Sequence, residues 1–191
     1  MARMNKTEAV AAVLAATTTE PIVCTTGYAC RIARHLDDRP SHFYMTGSMG
    51  LASSIGIGIA RETGRTTVVV DGDGSLLMNP VGLVTAGALP ALPLAHIVLD
   101  DGRYASTGGQ AVPSRRADLG AWALACGYAR ADETDDAAQF ADLVRAAVAR
   151  CTAPVLVVAR LTAADPPVPG RVEGDLAEHA RRFGRHLARN G

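Results

Sequence analysis

Aromatic side chains are scarce in this chain of 191 residues, and neither sign of charge is in excess. Phe, Trp and Tyr make up 4% of the residues, so stacking platforms for single-stranded nucleic acid are few. Lys plus Arg and Asp plus Glu both number 19, which gives a net charge of zero with His neutral. Because nucleic-acid and membrane-surface binders normally carry a basic excess, the balance argues against both classes of partner.

Long apolar runs and paired cysteines are also missing. No run approaches the roughly 18 residues of a membrane span. The apolar stretch 9–16 is predicted to be a first helix and not a signal peptide, because Glu8 precedes it and no small-residue cleavage site follows. The four cysteines form no C-x-x-C pair and have no histidine at metal-ligand spacing. We therefore expect a cytoplasmic protein with reduced thiols, three of them packed as small hydrophobes.

What the chain does have is a regular alternation of strands and helices. Apolar, β-branched runs at 66–70, 94–99 and 154–161 predict buried strands, and runs at 21–26 and 42–45 predict two shorter ones. Helical spacing fills the intervals, at 5–16, up to 36 after Gly27, and at 51–62, 76–88, 117–126 and 136–151. This order predicts an α/β fold of three layers, α/β/α, around a mostly parallel sheet.

The chain is expected to divide near residue 162. Residues 1–162 are predicted to form one domain, and residues 163–191 a proline-rich arm followed by a basic helix at roughly 174–188. Within the domain, Gly56 and Gly58 lie in a predicted helix of small residues. Glycine weakens a helix by about 1 kcal/mol relative to alanine, so both glycines suggest close packing, either inside the fold or against a partner.

Three loops stand at the carboxyl ends of predicted strands, where open parallel sheets bind ligands. They are 25–27, 71–75 and 100–110. Glycines flank Asp73 and let the backbone approach a ligand, while Ser75 is predicted to begin a helix whose free N–H groups favour an anion. A carboxylate among phosphate-binding amides needs a cation, and Asp73 with Asp101 offers the oxygens that Mg²⁺ prefers. The pattern predicts a metal-bridged diphosphate site, although both motifs are also typical of ordinary turns.

The spelling of these loops resembles that of a known family. Gly72-Asp73-Gly74-Ser75 with Asp101 28 positions after Asp73 is similar to the thiamine diphosphate signature. The other matching segments follow in the order found in sulfopyruvate and phosphonopyruvate decarboxylases: 25–27, 43–50, 72–79 and 106–110. In length and motifs the chain is most similar to diphosphate-binding β subunits of this type. Residues 1–162 would then be the thiamine diphosphate-binding domain.

The resemblance implies a role for each matching residue. Asp73 and Asp101 would hold Mg²⁺ by their side chains and Arg103 by its carbonyl. Met49 would lie beneath the folded cofactor, and the backbone of Gly47 and Met49 would bind its aminopyrimidine ring. The other implied cofactor contacts are Thr26, Gly27, Tyr28, Ala29, Ser48, Gly72, Gly74, Ser75 and Tyr104. Ser106, Thr107 and Gln110 would face the substrate, and Arg103 would suit an anionic tail.

The sequence departs from the family at one ligand, because Asp101 stands where Asn is usual. The additional negative charge would tighten Mg²⁺, weaken the cofactor, or mark a site that has degenerated. All the glycines around the loop remain, so we expect an intact site.

The resemblance also implies a reaction and a partner. A 2-oxo acid resembling 3-sulfo- or 3-phosphono-pyruvate would lose CO₂ and give an aldehyde, with thiamine diphosphate as the electron sink. The activating glutamate belongs to a pyrimidine-binding domain, for which 191 residues leave no room, so we expect a separate α subunit and an α/β hetero-oligomer. Two alternatives stay open: an acetolactate-synthase-like carboligase subunit, and a non-catalytic regulatory subunit.

Overall fold

A computed structural model describes residues 4–162 and 164–189. In these residues the strands are β1 (Ile22–Cys24), β2 (His42–Tyr44), β3 (Thr67–Gly72), β4 (Leu94–Asp100), β5 (Arg130–Thr134) and β6 (Val155–Arg160). The α-helices are α1 (Lys6–Ala15), α2 (Tyr28–Leu36), α3 (Ala52–Thr63), α4 (Asp73–Met78), α5 (Val81–Gly87), α6 (Leu119–Ala125), α7 (Ala137–Ala149) and α8 (Leu176–Arg189). A short 3₁₀ helix covers Pro113–Arg116.

The six strands form one sheet in the order β2-β1-β3-β4-β6-β5. Every neighbouring pair is parallel. Helices α1, α2 and α7 pack on one face of the sheet, and α3 to α6 pack on the other. The predicted three-layer α/β/α fold is confirmed, and the sheet is parallel throughout. Strands β3, β4 and β6 are buried on both faces, which explains their near-continuous apolar sequences.

Two features of the secondary structure were not predicted. The stretch 76–88 is not one helix: α4 ends at Met78 and α5 begins at Val81, because Pro80 has no amide hydrogen and cannot continue a helix. Strand β5 was missed because its sequence, Arg-Ala-Asp-Glu-Thr, lacks an apolar run. It pairs only with β6, at the edge of the sheet, where side chains need not be apolar.

Helix α3 is packed closely at one of its two glycines. A Cβ atom on Gly56 would lie 2.2 Å from Cγ2 of Val69 on β3, so only glycine lets the helix approach the sheet this closely. A Cβ atom on Gly58 would have no neighbour within 4 Å. The expectation of close packing therefore holds for Gly56 and is wrong for Gly58 within this chain.

The cysteines are free thiols in the structure. Cys24, Cys30 and Cys151 are buried and Cys126 is half-buried, as expected for small core residues. Burial raises the pKa of all three buried thiols. No helix in the described ranges is long and apolar enough to cross a bilayer.

Helix α8 packs against β2, the edge strand of the sheet. Phe183 of α8 packs against Phe43 of β2 with ring centres 5.4 Å apart, and Arg182 forms an ion pair with Asp38. The division between 1–162 and 163–191 stays a prediction. Residues 1–3, 163 and 190–191 of those two spans lie outside the described residues.

Candidate functional site

The loops that follow β1, β3 and β4 meet at one edge of the sheet. In the β3–β4 pair Gly72 stands opposite Leu99, so the turn at Asp73 lies beside the start of the loop after β4. A small cavity of about 50 Å³ opens between these loops, and both Asp73 and Asp101 line it. A cavity needs only about 10–15 Å³ of such space to hold one water molecule, so this one has room for a metal ion.

Asp73 is a buried carboxylate, 3% exposed, at the start of α4. Its Oδ2 accepts hydrogen bonds from the Gly102 amide at 3.1 Å and from the Ser114 hydroxyl at 2.9 Å. Burial raises the pKa of Asp73, and the nearby Asp101 charge raises it further, although the Ser114 hydrogen bond opposes both. A cation in the adjacent cavity would stabilise the ionised form.

Asp101 is paired with a lysine that no motif predicts. Lys6 Nζ lies 2.6 Å from Asp101 Oδ2, and the two side chains are 9% and 13% exposed. The other carboxylate oxygen accepts a hydrogen bond from the Arg103 amide at 3.2 Å. Lys6 thus compensates the negative charge that Asp101 adds to the site. Its distance of 95 positions along the chain hides it from any local motif.

A second buried carboxylate, Asp100, holds the loop that follows β4 in place. Asp100 is fully buried, and its Oδ1 lies 2.8 Å from the same Ser114 hydroxyl that bonds Asp73. Arg160 forms an ion pair with Asp100, and Arg115 donates to the Asp100 carbonyl oxygen at 3.1 Å. These contacts hold the loop after β4 against the Asp73 turn.

The hydroxyl of Ser75 is already used within the fold. Ser75 Oγ lies 2.9 Å from Thr25 Oγ1 and accepts a hydrogen bond from the Gly50 amide at 3.1 Å. The helix begins at Asp73 and not at Ser75 as predicted. Ser75 therefore ties three loops together, and its main-chain N–H is the donor left for a ligand.

Two glycines make room for the loop after β4. A Cβ atom on Gly74 would lie 2.3 Å from Cε1 of Tyr104. Gly27 has a φ of +100°, and a Cβ atom there would lie 2.7 Å from the Ser106 hydroxyl. Both positions require glycine, because the β4 loop lies directly over the turns that follow β1 and β3.

The small cavity collects most of the predicted cofactor residues. Besides Asp73, Asp101 and Lys6, its lining includes Thr26, Tyr28, Ala29, Met49, Gly72, Gly74, Ser75, Arg103, Tyr104 and Ser106. A wider cleft of about 680 Å³ adjoins it and shares Thr26, Met49 and Ser106 with it. The cleft is also lined by Gly27, Gly47, Ser48 and Thr107. Gln110 is not among the residues that line the cleft, because its side chain folds over Gly108.

The donors at the cavity fit one metal in particular. The carboxylates of Asp73 and Asp101 line the cavity, and carboxylates are hard oxygen ligands that suit Mg²⁺. The Arg103 carbonyl stays a predicted third ligand. Within the described part of the chain no three His, Cys, Asp or Glu side chains come together as a metal cage. Mg²⁺ commonly keeps an incomplete protein shell and takes its remaining ligands from phosphate oxygens and water. The residues present therefore fit a magnesium ion, which Asp73 and Asp101 would hold together with a bound phosphate group.

Known proteins share the sequence and the fold of this chain. The family model described as "Thiamine pyrophosphate enzyme, C-terminal TPP binding domain" matches residues 21–159. A phosphonopyruvate decarboxylase of Streptomyces viridochromogenes is 43% identical over 162 residues, which are 85% of this chain and 41% of that protein. The sulfopyruvate decarboxylase subunit beta of Methanothermobacter thermautotrophicus is 43% identical over 125 residues, 65% of this chain and 68% of that subunit.

Solved structures show the same fold. A thiamine diphosphate-dependent 4-hydroxybenzoylformate decarboxylase of Rhodococcus jostii superposes with a TM-score of 0.71 at 21% identity, over 84% of this chain and 33% of that one. The chain thus spans about two fifths of the length of the Streptomyces relative and a third of this structural neighbour. Since the family model covers most of the chain, and the β3 and β4 loops carry its motifs, the chain belongs to the thiamine pyrophosphate enzymes and contains their C-terminal TPP-binding domain.

Proposed function

We propose that the chain is the β subunit of a heteromeric decarboxylase that depends on thiamine diphosphate and Mg²⁺. The observation that carries the proposal is that Asp73 and Asp101, from two adjacent strands, line one cavity beside the glycine turn at 72–74. Thiamine diphosphate supplies the electron sink that a 2-oxo acid needs in order to lose CO₂.

In this proposal each residue of the site binds the metal, the cofactor or the substrate. Asp73, Asp101 and the Arg103 carbonyl hold Mg²⁺, whose charge balances the diphosphate. The main-chain N–H groups of Gly74 and Ser75, and those of residues 27–29, donate to the diphosphate. Met49 supports the cofactor from below, and Ser106 and Thr107 face the substrate. Lys6 offsets the negative charge of the additional carboxylate, Asp101.

The proposed substrate is a 2-oxo acid with an anionic group on its third carbon. The two relatives described above are named for such acids: one for phosphonopyruvate and the other for sulfopyruvate. The proposed products are the corresponding aldehyde and CO₂. A small substrate of this kind suits a cleft of about 680 Å³ that also has to accommodate part of the cofactor.

The proposed partner is a pyrimidine-binding α subunit that contributes the activating glutamate. One of the relatives is itself named a subunit beta. The α3–α6 side of the sheet also carries large exposed apolar side chains, which are typical of an interaction surface. They are Leu51, Met78, Val81, Val84, Trp122 and Leu124.

Replacement of Asp73 tests the cofactor site. In Asp73→Asn the hydrogen-bond acceptor is kept but the charged metal ligand is lost, so we expect Mg²⁺-dependent uptake of thiamine diphosphate to weaken at least about 100-fold. Loss of a residue that only hydrogen-bonds to a metal ligand lowers metal affinity by up to about 100-fold, and loss of a direct ligand should lower it at least as much. Isothermal titration calorimetry on the α/β complex measures it. Asp142→Asn, an exposed carboxylate on α7, is the matched control and should bind as the parent does.

Turnover by the same complex separates the proposal from its alternatives. CO₂ and aldehyde in equal amounts from 3-sulfopyruvate or 3-phosphonopyruvate support decarboxylation. Loss of CO₂ with a longer hydroxy-ketone product would identify a carboligase. A complex that takes up no thiamine diphosphate in the presence of Mg²⁺ would be the regulatory subunit and would contradict the proposal.

A further inference from the structure

One wall of the wide cleft comes from outside the family match. The match ends at residue 159. Residues 171–174 of the arm and Leu176 of α8 nevertheless line the cleft, together with the loops that carry Met49 and Ser106. Arg31, on α2, lines the same cleft. The cofactor-binding turns are thus shared with the family, whereas the arm adds a wall with its own side chains.

The arm is fixed to α2, so its side chains have defined positions. The Arg34 guanidinium donates to the carbonyl oxygen of Glu173, and His179 Nε2 lies 3.1 Å from the same oxygen. Val168 and Val172 pack against the core on this side of the sheet. Arg171 is therefore presented to the cleft by a backbone held on both sides, as a specific binding residue requires.

Arg31 and Arg171 are cations without a carboxylate partner in the described ranges. Both line the cleft and also a cavity of about 440 Å³ behind the arm, so they lie along one stretch of its wall. The Arg31 guanidinium lies 5.3 Å from the centre of the Tyr28 ring. Arg34 is different, because it is committed to Glu173 and to Asp38 at 3.8 Å.

The electrostatic balance of the cleft is positive. Glu173 is the acidic residue on its lining, against Arg31 and Arg171. Neither arginine lines the small cavity that holds Asp73 and Asp101. The two guanidinium groups therefore border the diphosphate site without lining it, and they are available to a second anion in the cleft.

We propose that Arg31 and Arg171 bind the anionic end group of the substrate, a sulfonate or phosphonate. This proposal rests on the proposed function, since it assigns the specificity of that same site. Guanidinium groups match tetrahedral oxyanions in charge and in the fork of their N–H donors. Ser106 and Thr107 lie on the same cleft and offer hydroxyls to the rest of the substrate. Arg31 and Arg171 favour 2-oxo acids that carry an anionic group on the third carbon over pyruvate, whose third carbon is a methyl group.

Binding of small probes to the full chain tests the site without turnover. Sulfoacetate and phosphonoacetate carry the end group, and propionate lacks it. Because a hydrogen bond to a charged group is commonly worth tenfold or more in affinity, we expect Arg31→Gln and Arg171→Gln each to weaken both probes at least about tenfold by calorimetry. Arg61→Gln, an exposed arginine on α3, is the matched control and should leave both affinities unchanged.

Turnover by the α/β complex supplies the second readout. In each variant kcat/KM for 3-sulfopyruvate or 3-phosphonopyruvate should fall at least about tenfold, while the value for pyruvate and the uptake of thiamine diphosphate stay constant. Unchanged probe affinities, or equal losses with pyruvate, would overturn the proposal. Weakened uptake of the cofactor would show that the arginines bind the diphosphate instead, which also overturns it.

Failure of this proposal is distinct from failure of the proposed function. If the complex takes up no cofactor but the arginines still bind sulfoacetate, the decarboxylase is wrong and the anion site stands. If the complex decarboxylates sulfopyruvate and neither variant alters its specificity, the decarboxylase stands and the anion site is wrong.

Discussion

The Lys6–Asp101 pair offsets the charge of the carboxylate at position 101, where the resemblance to the family implies Asn. An isolated additional charge beside Asp73 and a diphosphate would be costly. At 2.6 Å and with both side chains nearly buried, Lys6 offsets that charge. Removal of one partner of a buried pair leaves the other uncompensated, which is generally more damaging than removal of both.

A double-mutant cycle measures the pair. Lys6→Met and Asp101→Asn should each lower the free energy of unfolding, and the double variant should lose less than the sum, with a coupling of about 0.5–3 kcal/mol. Urea denaturation provides the free energies. The exposed Asp142–Arg145 pair on α7 is the control, with a coupling of no more than about 0.5 kcal/mol. Strict additivity of Lys6→Met and Asp101→Asn would show that the pair has no energetic role.

Because His42 is buried, we expect the free energy of unfolding to fall in acid. Burial, with a smaller contribution from Arg39, lowers the pKa of His42 from 6.5 to about 4. Between these two values the unfolded chain binds a proton that the folded chain does not, so stability falls as the pH falls from 6.5 towards 4. The slope from this group is at most about 1.4 kcal/mol per pH unit.

The variant His42→Gln isolates this contribution. Its free energy of unfolding should depend less steeply on pH over that window than the parent's, as measured by denaturation at a series of pH values. His35→Gln, on the exposed surface of α2, should keep the parent's slope. If His42→Gln keeps the parent's slope as well, the assigned pKa is wrong.

At the scale of elements, α3 offers a matched pair of glycines. Gly56→Ala puts a methyl group 2.2 Å from Val69 Cγ2, and overpacking of this kind typically costs about 1–3 kcal/mol. Gly58→Ala meets open space, and alanine is favoured over glycine in a helix by roughly 0.5–1 kcal/mol. We therefore expect the melting temperature to fall in the first variant and to rise in the second. A rise in both would mean that α3 does not pack on β3 as described.

The elements that sequence predicts best are those whose pattern follows from burial. Strands β3, β4 and β6 lie between two layers of helices and are almost continuously apolar, so their sequence pattern predicts them. Strand β5 is at the sheet edge and its five residues carry three charges, so nothing marks it as a strand. The break between α4 and α5 was readable in principle, because Pro80 stands in the middle of the predicted helix.

At the scale of the whole molecule, contacts between residues that are far apart in the sequence could not be predicted. The loops with Asp73 and Asp101 were predictable together because parallel strands end at one edge of the sheet. Lys6, Ser114 and Arg160 reach the same loops from other elements, and no spacing rule connects them to Asp73. The same holds for the arm, whose Arg171 joins Arg31 of α2 only through the tertiary fold.

A crystal structure of the α/β complex with Mn²⁺ in place of Mg²⁺, together with thiamine diphosphate, tests the metal-bridged site most directly. The account predicts one anomalous peak bonded to Asp73, Asp101 and the Arg103 carbonyl, at close to the roughly 2.0–2.1 Å that Mg²⁺ takes to its oxygen ligands. A bound cofactor with no peak between these residues, or with the ion held elsewhere, would contradict it.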